Sequence, residues 1–448
     1  MEPTKELTGI MTEGSILKQL IRFAVPMFFC SLFQQLYSTA DAAIVGHYAG
    51  TEGLAAIGVT SQIIMLAVSI GVGLMLGISV AVSEHCGAGN WDKVRQVTAV
   101  SVYVVFVTWI LKLITGVFLA ESILRAVNTP EEVLGNAVIY LRIVFGGGLF
   151  TYAYSMCIYI MRACGNGSRP LLFLAFSSIC NVFLDLFFVR TLQMGVAGAA
   201  IGTVIAESLA AAMCLIYIRR KLPHIWPGRS DFHNVSRSLV INIMKLSMPT
   251  CLQIGAVTFC TILVQSAINK YGTTVVAGYT AAQKIEQLMV MGISAITGAL
   301  NTFTAQNRGA GKYERIKEGT RTSRFFTAAM TIPISLLIFM TGEELLRLFA
   351  GEGTGVEMIE EGFRYLQITC GFYLIMGLWQ VNMAVLRGMA DVLIPQVIGG
   401  LQVLSNLAAI WLMEPLLGKE GIWWSTVISW SLCFLFSTIR IKTRDDLL

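Results

Sequence analysis

The chain has 448 residues, 55% of them apolar and only 13% charged, where an average soluble domain carries about 25% charged residues. Those proportions exclude a soluble globular protein and a disordered chain, and 10 Cys in 448 residues are too few for a disulfide scaffold. A formal charge of +5 raises the question of a nucleic-acid partner, but the charges lie almost entirely between long apolar runs, which leaves an integral membrane protein.

A helix needs about 20 apolar residues to cross a hydrocarbon core of roughly 30 Å, and twelve such runs follow one another. They are too long for the strands of an outer-membrane barrel, so the expected class is all-α integral membrane with 12 transmembrane helices. The polar start (Glu2, Lys5, Glu6, Glu13) lacks the apolar core of a cleavable signal, so the N-terminus is expected to stay on the mature protein. The first run, 16–45, holds Pro26, which favours a kink, then an acceptor face of Gln34, Tyr37 or Ser38, and Asp41. Run 54–82 precedes a polar turn, Gly87-Ala88-Gly89-Asn90-Trp91-Asp92-Lys93-Val94. Run 96–119 carries Lys112 toward its outer end, where the ammonium is expected to snorkel to the headgroups. Run 138–161 leads to Arg162. Run 170–189 puts Asn181 and Asp185 one turn apart on one face, and run 196–218 does the same with Thr203 and Glu207. A basic stretch opening with Arg219-Arg220-Lys221 closes this half.

The second half contributes runs 242–268, 276–303, 325–341, 363–386, 393–413 and 421–439, and it repeats the first at an offset of about 223 residues. Gly309-Ala310-Gly311-Lys312-Tyr313-Glu314-Arg315-Ile316 matches the polar turn after run 54–82, Tyr365-Leu366-Gln367-Ile368 echoes Tyr140-Leu141-Arg142-Ile143, and Pro249, Arg387, Pro395 and Asn406 echo Pro26, Arg162, Pro170 and Asn181. Six spans per half make the repeats parallel, an arrangement that works by rocking about a central site. The expected partition is a cytoplasmic segment 1–15, an N-lobe 16–218, a cytoplasmic linker 219–241, a C-lobe 242–440 and a cytoplasmic tail 441–448. Cytoplasmic termini put most of the 32 Lys and Arg on the inner side, as the positive-inside rule requires, and the expected location is the cell inner membrane.

Ionisable residues at span depth are costly and mark function by default. Asp41 and Asp185 lie at matching depth, with Asn181 and Thr203 close to the same level. Carboxylate, amide and hydroxyl oxygens suit H⁺ or Na⁺ and suit Zn or Cu poorly. Two carboxylates meeting in a dry lobe repel each other, which favours proton uptake by one of them; the bland alternative is a structural hydrogen-bond knot between spans. Glu207 is expected either to join this network or to contact a cationic substrate. The acids are not repeated, because Val264 aligns with Asp41 and Ile410 with Asp185. Ion coupling is therefore expected in the first lobe, while Gln253, Gln265, Gln380, Asn382, Gln402 and Asn406 are expected to shape a cavity in the second. For Lys284 and Glu286, a local ion pair, a rim contact and a functional role all stay open.

These residues give the chain a resemblance to the multidrug and toxic compound extrusion (MATE) family, and within it to the DinF-like branch. The resemblance runs from about residue 15 to 440 and rests on the proline-bearing first span with Gln34, Tyr37 and Asp41, the duplicated glycine turns, and the Arg162 and Arg387 turns. It implies two six-helix lobes that export amphipathic, often cationic compounds in exchange for H⁺ or Na⁺, with a cation site on Asp41, Asp185, Asn181 and Thr203. Glu207 stands where the resemblance leads one to expect an uncharged polar residue. A lipid-linked oligosaccharide flippase of the same superfamily is the alternative transporter, and an integral membrane enzyme the alternative of another class. The chain lacks G-x-x-x-x-G-K-[ST], intramembrane acids clustered in a metal-diphosphate motif, and any metal spacing among His47, His85, His224 and His233. No enzyme activity, cofactor, nucleic-acid partner or obligate protein partner is expected; the partners are small molecules and the bilayer.

Overall fold

The computed structural model describes residues 10–348, 355–391 and 393–444, the side chain of Thr51 excepted. The polar start with Glu2, Lys5 and Glu6, the tail acids Asp445 and Asp446, and part of the outer segment between Glu343 and Glu361 lie outside the described residues. Among the described residues every regular element is helical. The first half comprises α1 (Ile16–Tyr48), α2 (Gly50–Gly87), α3 (Trp91–Ile114), α4 (Ala120–Ala126), α5 (Glu131–Gly146), α6 (Gly148–Ala163), α7 (Ser168–Asp185) and α8 (Gly195–Lys221). A short α9 (Arg229–His233) leads to α10 (Arg237–Asn269), α11 (Thr273–Gly309), α12 (Tyr313–Arg347), α13 (Val356–Cys370), α14 (Tyr373–Gly388), α15 (Leu393–Leu417) and α16 (Lys419–Lys442).

Among the described residues ten helices, counting α3 and α4 with the π-helical turn between them as one, are long and apolar enough to cross a membrane, and the number rises to twelve when each of two bent pairs is taken as one span. The runs expected at 138–161 and 363–386 are not single rods. The first bends by 47° between α5 and α6 and the second by 54° between α13 and α14. Gly147 marks one break and Gly371 the other, at equivalent places in the repeat. π-helical turns also interrupt the first half at Thr115–Leu119 and at Leu186–Thr191.

The described residues cluster into two compact units, one built on Val25–Cys251 and the other on Met11–Ala24 with the chain from Leu252 onward. The divisions fall inside helices, one residue before Pro26 in α1 and two residues after Pro249 in α10. The reason within the first unit is steric. Gly73 and Gly77, four apart on α2, lie flush against the backbone of Cys251 and Ser247, so that a Cβ at either glycine would collide with α10. Small residues at this spacing let helix backbones approach closely where lipid supplies no hydrophobic drive. Leu222 and Ile225, which follow α8, are fully buried in the core of the same unit, and His224 packs edge-on against Trp91 at 4.7 Å. In the second unit, the Met11 N–H donates to Gln306 Oε1 at 2.7 Å, and Asn307 and Arg315 return hydrogen bonds to the carbonyls of Met11 and Gly14.

The repeat is written into the backbone. Left-handed φ values occur at Gly50 and Gly272 (75° and 90°), Gly89 and Gly311 (70° each), and Gly195 and Gly418 (56° and 60°). A fourth pair combines Gly165 at 83° with Ala390 at 50°, an alanine where glycine is the unstrained choice.

Candidate functional site

In the first unit the sequence-derived acids meet. Asp41 on α1 and Asp185 at the end of α7 bring their carboxyl groups close enough to interact. Asn181 Nδ2 donates to Asp185 Oδ1 at 3.3 Å from one turn earlier on α7. Gly202 on α8 opens the space for Asp185, since a Cβ there would overlap Oδ1 of the carboxyl group. Ser177 ties α7 to α8 through a 2.8 Å hydrogen bond to the Ala206 carbonyl. The π-helical turn begins immediately after Asp185, in keeping with the habit of such turns at functional sites. Asp185 is 0% exposed, Asn181 1%, Asp41 8% and Thr203 9%. Oδ1 of Asp41, Oδ1 of Asn181 and Oδ2 of Asp185 are buried without a hydrogen-bond donor. Such oxygens are expensive to leave unsatisfied, and all three are hard acceptors.

Tyr37 stands a turn before Asp41 and within electrostatic reach of Asp41 and Glu207, while the Thr203 hydroxyl is buried without a hydrogen-bond partner. Glu207 on α8 accepts a hydrogen bond from Thr151 on α6. Gln34 is exposed on α1. Pro26 lies inside α1, beside the division between units.

Three residues of this cluster were not read as site residues from the sequence. Tyr140 on α5 is buried and faces Asp41, Asp185 and Glu207. Thr151 holds Glu207. Lys112 does not snorkel: it is 5% exposed, with its ammonium 4.9 Å from the centre of the Phe145 ring and 5.2 Å from that of Tyr152. The missing Cβ of Gly148, at the break between α5 and α6, makes room for its stem.

The second unit holds a different arrangement. Glu286 turns inward and accepts hydrogen bonds from Tyr365 Oη at 2.7 Å and Tyr373 Oη at 3.3 Å, while its neighbour Lys284 is exposed. The local ion pair considered for these two residues is therefore replaced by a tyrosine cage. Tyr365 is the repeat counterpart of Tyr140, so in each unit this tyrosine is turned on buried acid; the shared Tyr-Leu-x-Ile pattern was the signal that could have identified both. Three of the polar residues expected to shape a cavity are engaged in packing instead. Arg387 donates to Gln253 Oε1 at 3.0 Å, Asn382 bonds Arg324, Ser437 and Thr438, and Ser425 donates to Asn406. In the first unit the equivalent Arg162 lies close to Cys30, four residues past Pro26 as Gln253 is four past Pro249.

Duplicated six-span halves with a buried carboxyl pair in the first define the class as a polytopic helical membrane protein. The MatE family model matches the chain twice, over residues 26–187 and 249–412, and the chain belongs to the MATE family. Both matches begin at the prolines of the leading helices. The chain is similar to the probable multidrug resistance protein YpnP of Bacillus subtilis (29% identity, covering 95% of this chain and 94% of the relative). It is also similar to the multidrug export protein MepA of Staphylococcus saprophyticus (22%, covering 97% and 95%). Among solved structures, a MATE transporter in an outward-facing conformation matches with a TM-score of 0.89 at 21% identity, covering 98% of this chain and 99% of that one. A MATE chain in the bent conformation matches with a TM-score of 0.90 at 21% identity, covering 98% of each. At that identity these likenesses speak for the fold.

Proposed function

We propose that this protein is a secondary active multidrug exporter, which moves amphipathic, cationic compounds outward by alternating access in exchange for H⁺ or Na⁺. The coupling ion binds at Asp41 and Asp185, with Asn181 and Thr203 completing its oxygen shell. The observation that carries this reading is that Asp41, Asn181 and Asp185 each leave a buried oxygen without a donor. Two carboxyl groups close enough to interact have no donor between them unless a proton or a small cation is supplied, and loading or unloading that charge changes how α1 and α7 attract each other. Pro26 removes a backbone bond from α1 and leaves that helix able to bend in response. Tyr37, Gln34 and Glu207 lie on the path a cationic substrate takes past the coupling pair.

Acids on the first and fifth spans, with none in the body of the seventh or tenth, support the DinF-like branch. The Lys and Arg distribution supports an inner-membrane location with both termini cytoplasmic. The names of the relatives support multidrug compounds as substrates. A charge moved down 100 mV supplies roughly 2.3 kcal/mol, enough for a concentration ratio of about fifty, so the cycle needs neither ATP nor a bound cofactor.

The test is transport in proteoliposomes with pH and Na⁺ gradients imposed independently. One gradient is expected to drive export of a cationic dye, and Asp41→Asn is expected to abolish the gradient-driven component with membrane expression intact. Wild-type export by Asp41→Asn overturns the coupling assignment.

A further inference from the structure

Lys112 is a buried charge in the first unit that the exchange cycle above leaves unused. Its ammonium makes no hydrogen bond and rests against the faces of Phe145 and Tyr152. Ring faces attract a cation without neutralising it, and a charge buried at this depth is almost always paired. That counter-charge is Glu207: the Lys112 ammonium lies against Gly148 on α6, one turn before Thr151, whose hydroxyl holds the Glu207 carboxylate. Glu207 is held by the Thr151 hydroxyl rather than locked in an ion pair with Lys112. Tyr37 and Tyr140 are within electrostatic reach of both Glu207 and Asp41. Arg162, the other cation near the cluster, acts on Tyr154 and lies close to Cys30.

The internal repeat supplies an independent observation. At the offsets of the flanking glycine turns, Ile334 stands in place of Lys112 and Trp430 in place of Glu207. Base and acid are present together in one half and absent together from the other, as expected of residues that compensate each other.

We infer that Lys112 is a tethered cation occupying the electrostatic place of a second exchangeable ion at Glu207, so that only the Asp41 and Asp185 pair takes up a mobile cation. This rests on the exchange mechanism proposed above. Removing the Lys112 charge opens Glu207 to an external H⁺ or Na⁺ and adds one positive charge to each transport cycle.

The experiment is ethidium transport in proteoliposomes, with the membrane potential clamped by potassium and valinomycin and the coupling-ion concentration equal on both sides. The number of charges per ethidium is obtained from the potential at which net flux reverses. Lys112→Met is expected to raise that number by one, which at 100 mV raises the attainable ethidium ratio about fifty-fold. Lys112→Arg and the double variant Lys112→Met/Glu207→Gln are expected to keep the wild-type number. A wild-type number in a transport-competent Lys112→Met overturns the inference, as does a raised number in Lys112→Arg. If Lys112→Met does not fold, Glu207→Gln decides: its uncompensated ammonium is expected to weaken binding of the coupling ion, and unchanged ion affinity overturns the inference. Asp41→Asn run alongside separates the two levels. Its retention of coupling sinks the exchange mechanism, whereas a dead Asp41→Asn with an unchanged charge count in Lys112→Met sinks the tethered cation alone.

Discussion

At the scale of single residues, the site depends on a missing side chain as much as on the acids. Gly202 admits the Asp185 carboxyl group into the contact between α7 and α8. Gly202→Ala is expected to push that carboxyl away from Asp41 and cost about 1–3 kcal/mol of stability, as overpacking does; ion-driven dye export falls while membrane insertion persists, which flux and fluorescence-detected gel filtration would register. In the second unit, Tyr365→Phe removes a hydrogen bond to the Glu286 carboxylate and is expected to destabilise the solubilised protein by about 1–3 kcal/mol. A thermal melt should show this loss, with a smaller one for Glu286→Gln, which leaves Tyr365 an acceptor. Asp41, Asn181, Asp185 and Thr203 were legible in the sequence because an ionisable residue at span depth is rare enough to stand out, and helical spacing brings an amide and a hydroxyl to the same level. Lys112 was misread for a physical reason. Distance from a span end gives depth but not rotation about the helix axis, and rotation decides whether a long cationic side chain reaches headgroups or two aromatic rings.

At the scale of elements, hydropathy located every span and missed two of their shapes. The breaks between α5 and α6 and between α13 and α14 lie within continuous apolar runs, where an averaged hydropathy passes over a glycine without registering it. The break in the first unit also positions the site, since Gly147 lies against Val204, the neighbour of Thr203, and Gly148 lies against Lys112. Gly147→Ala would drive a methyl into Val204 and displace α8. We expect a lower melting temperature together with weaker coupling-ion affinity, and a change in melting temperature alone would mean that the break only packs the unit. The paired placements of Arg162 near Cys30 and Arg387 against Gln253 were only partly readable: the equivalence of the arginines is plain in the repeat, but their partners differ in chemistry and become equivalent only through their shared distance from a proline.

At the scale of the whole molecule, the duplication was legible from end to end because its glycine turns, prolines and aromatic pattern recur at a nearly constant offset. The compact units, however, follow contacts rather than chain order. The division inside α1 and α10 depends on which small residues let helices approach, and Gly73 with Gly77 commits the start of α10 to the first unit through backbone packing that no run of apolar residues announces.

That exchange of leading segments constrains how the protein can be made. A gene cut within the stretch between α8 and α10 would encode two polypeptides, neither able to complete a unit: the earlier one would lack the packing strip ending at Cys251, and the later one the strip ending at Ala24. Synthesised singly, each is expected to be degraded or to aggregate on gel filtration. Synthesised in the same cell, they should trade the missing strips and recover a transporter, so a half that is stable by itself would show that those strips are dispensable.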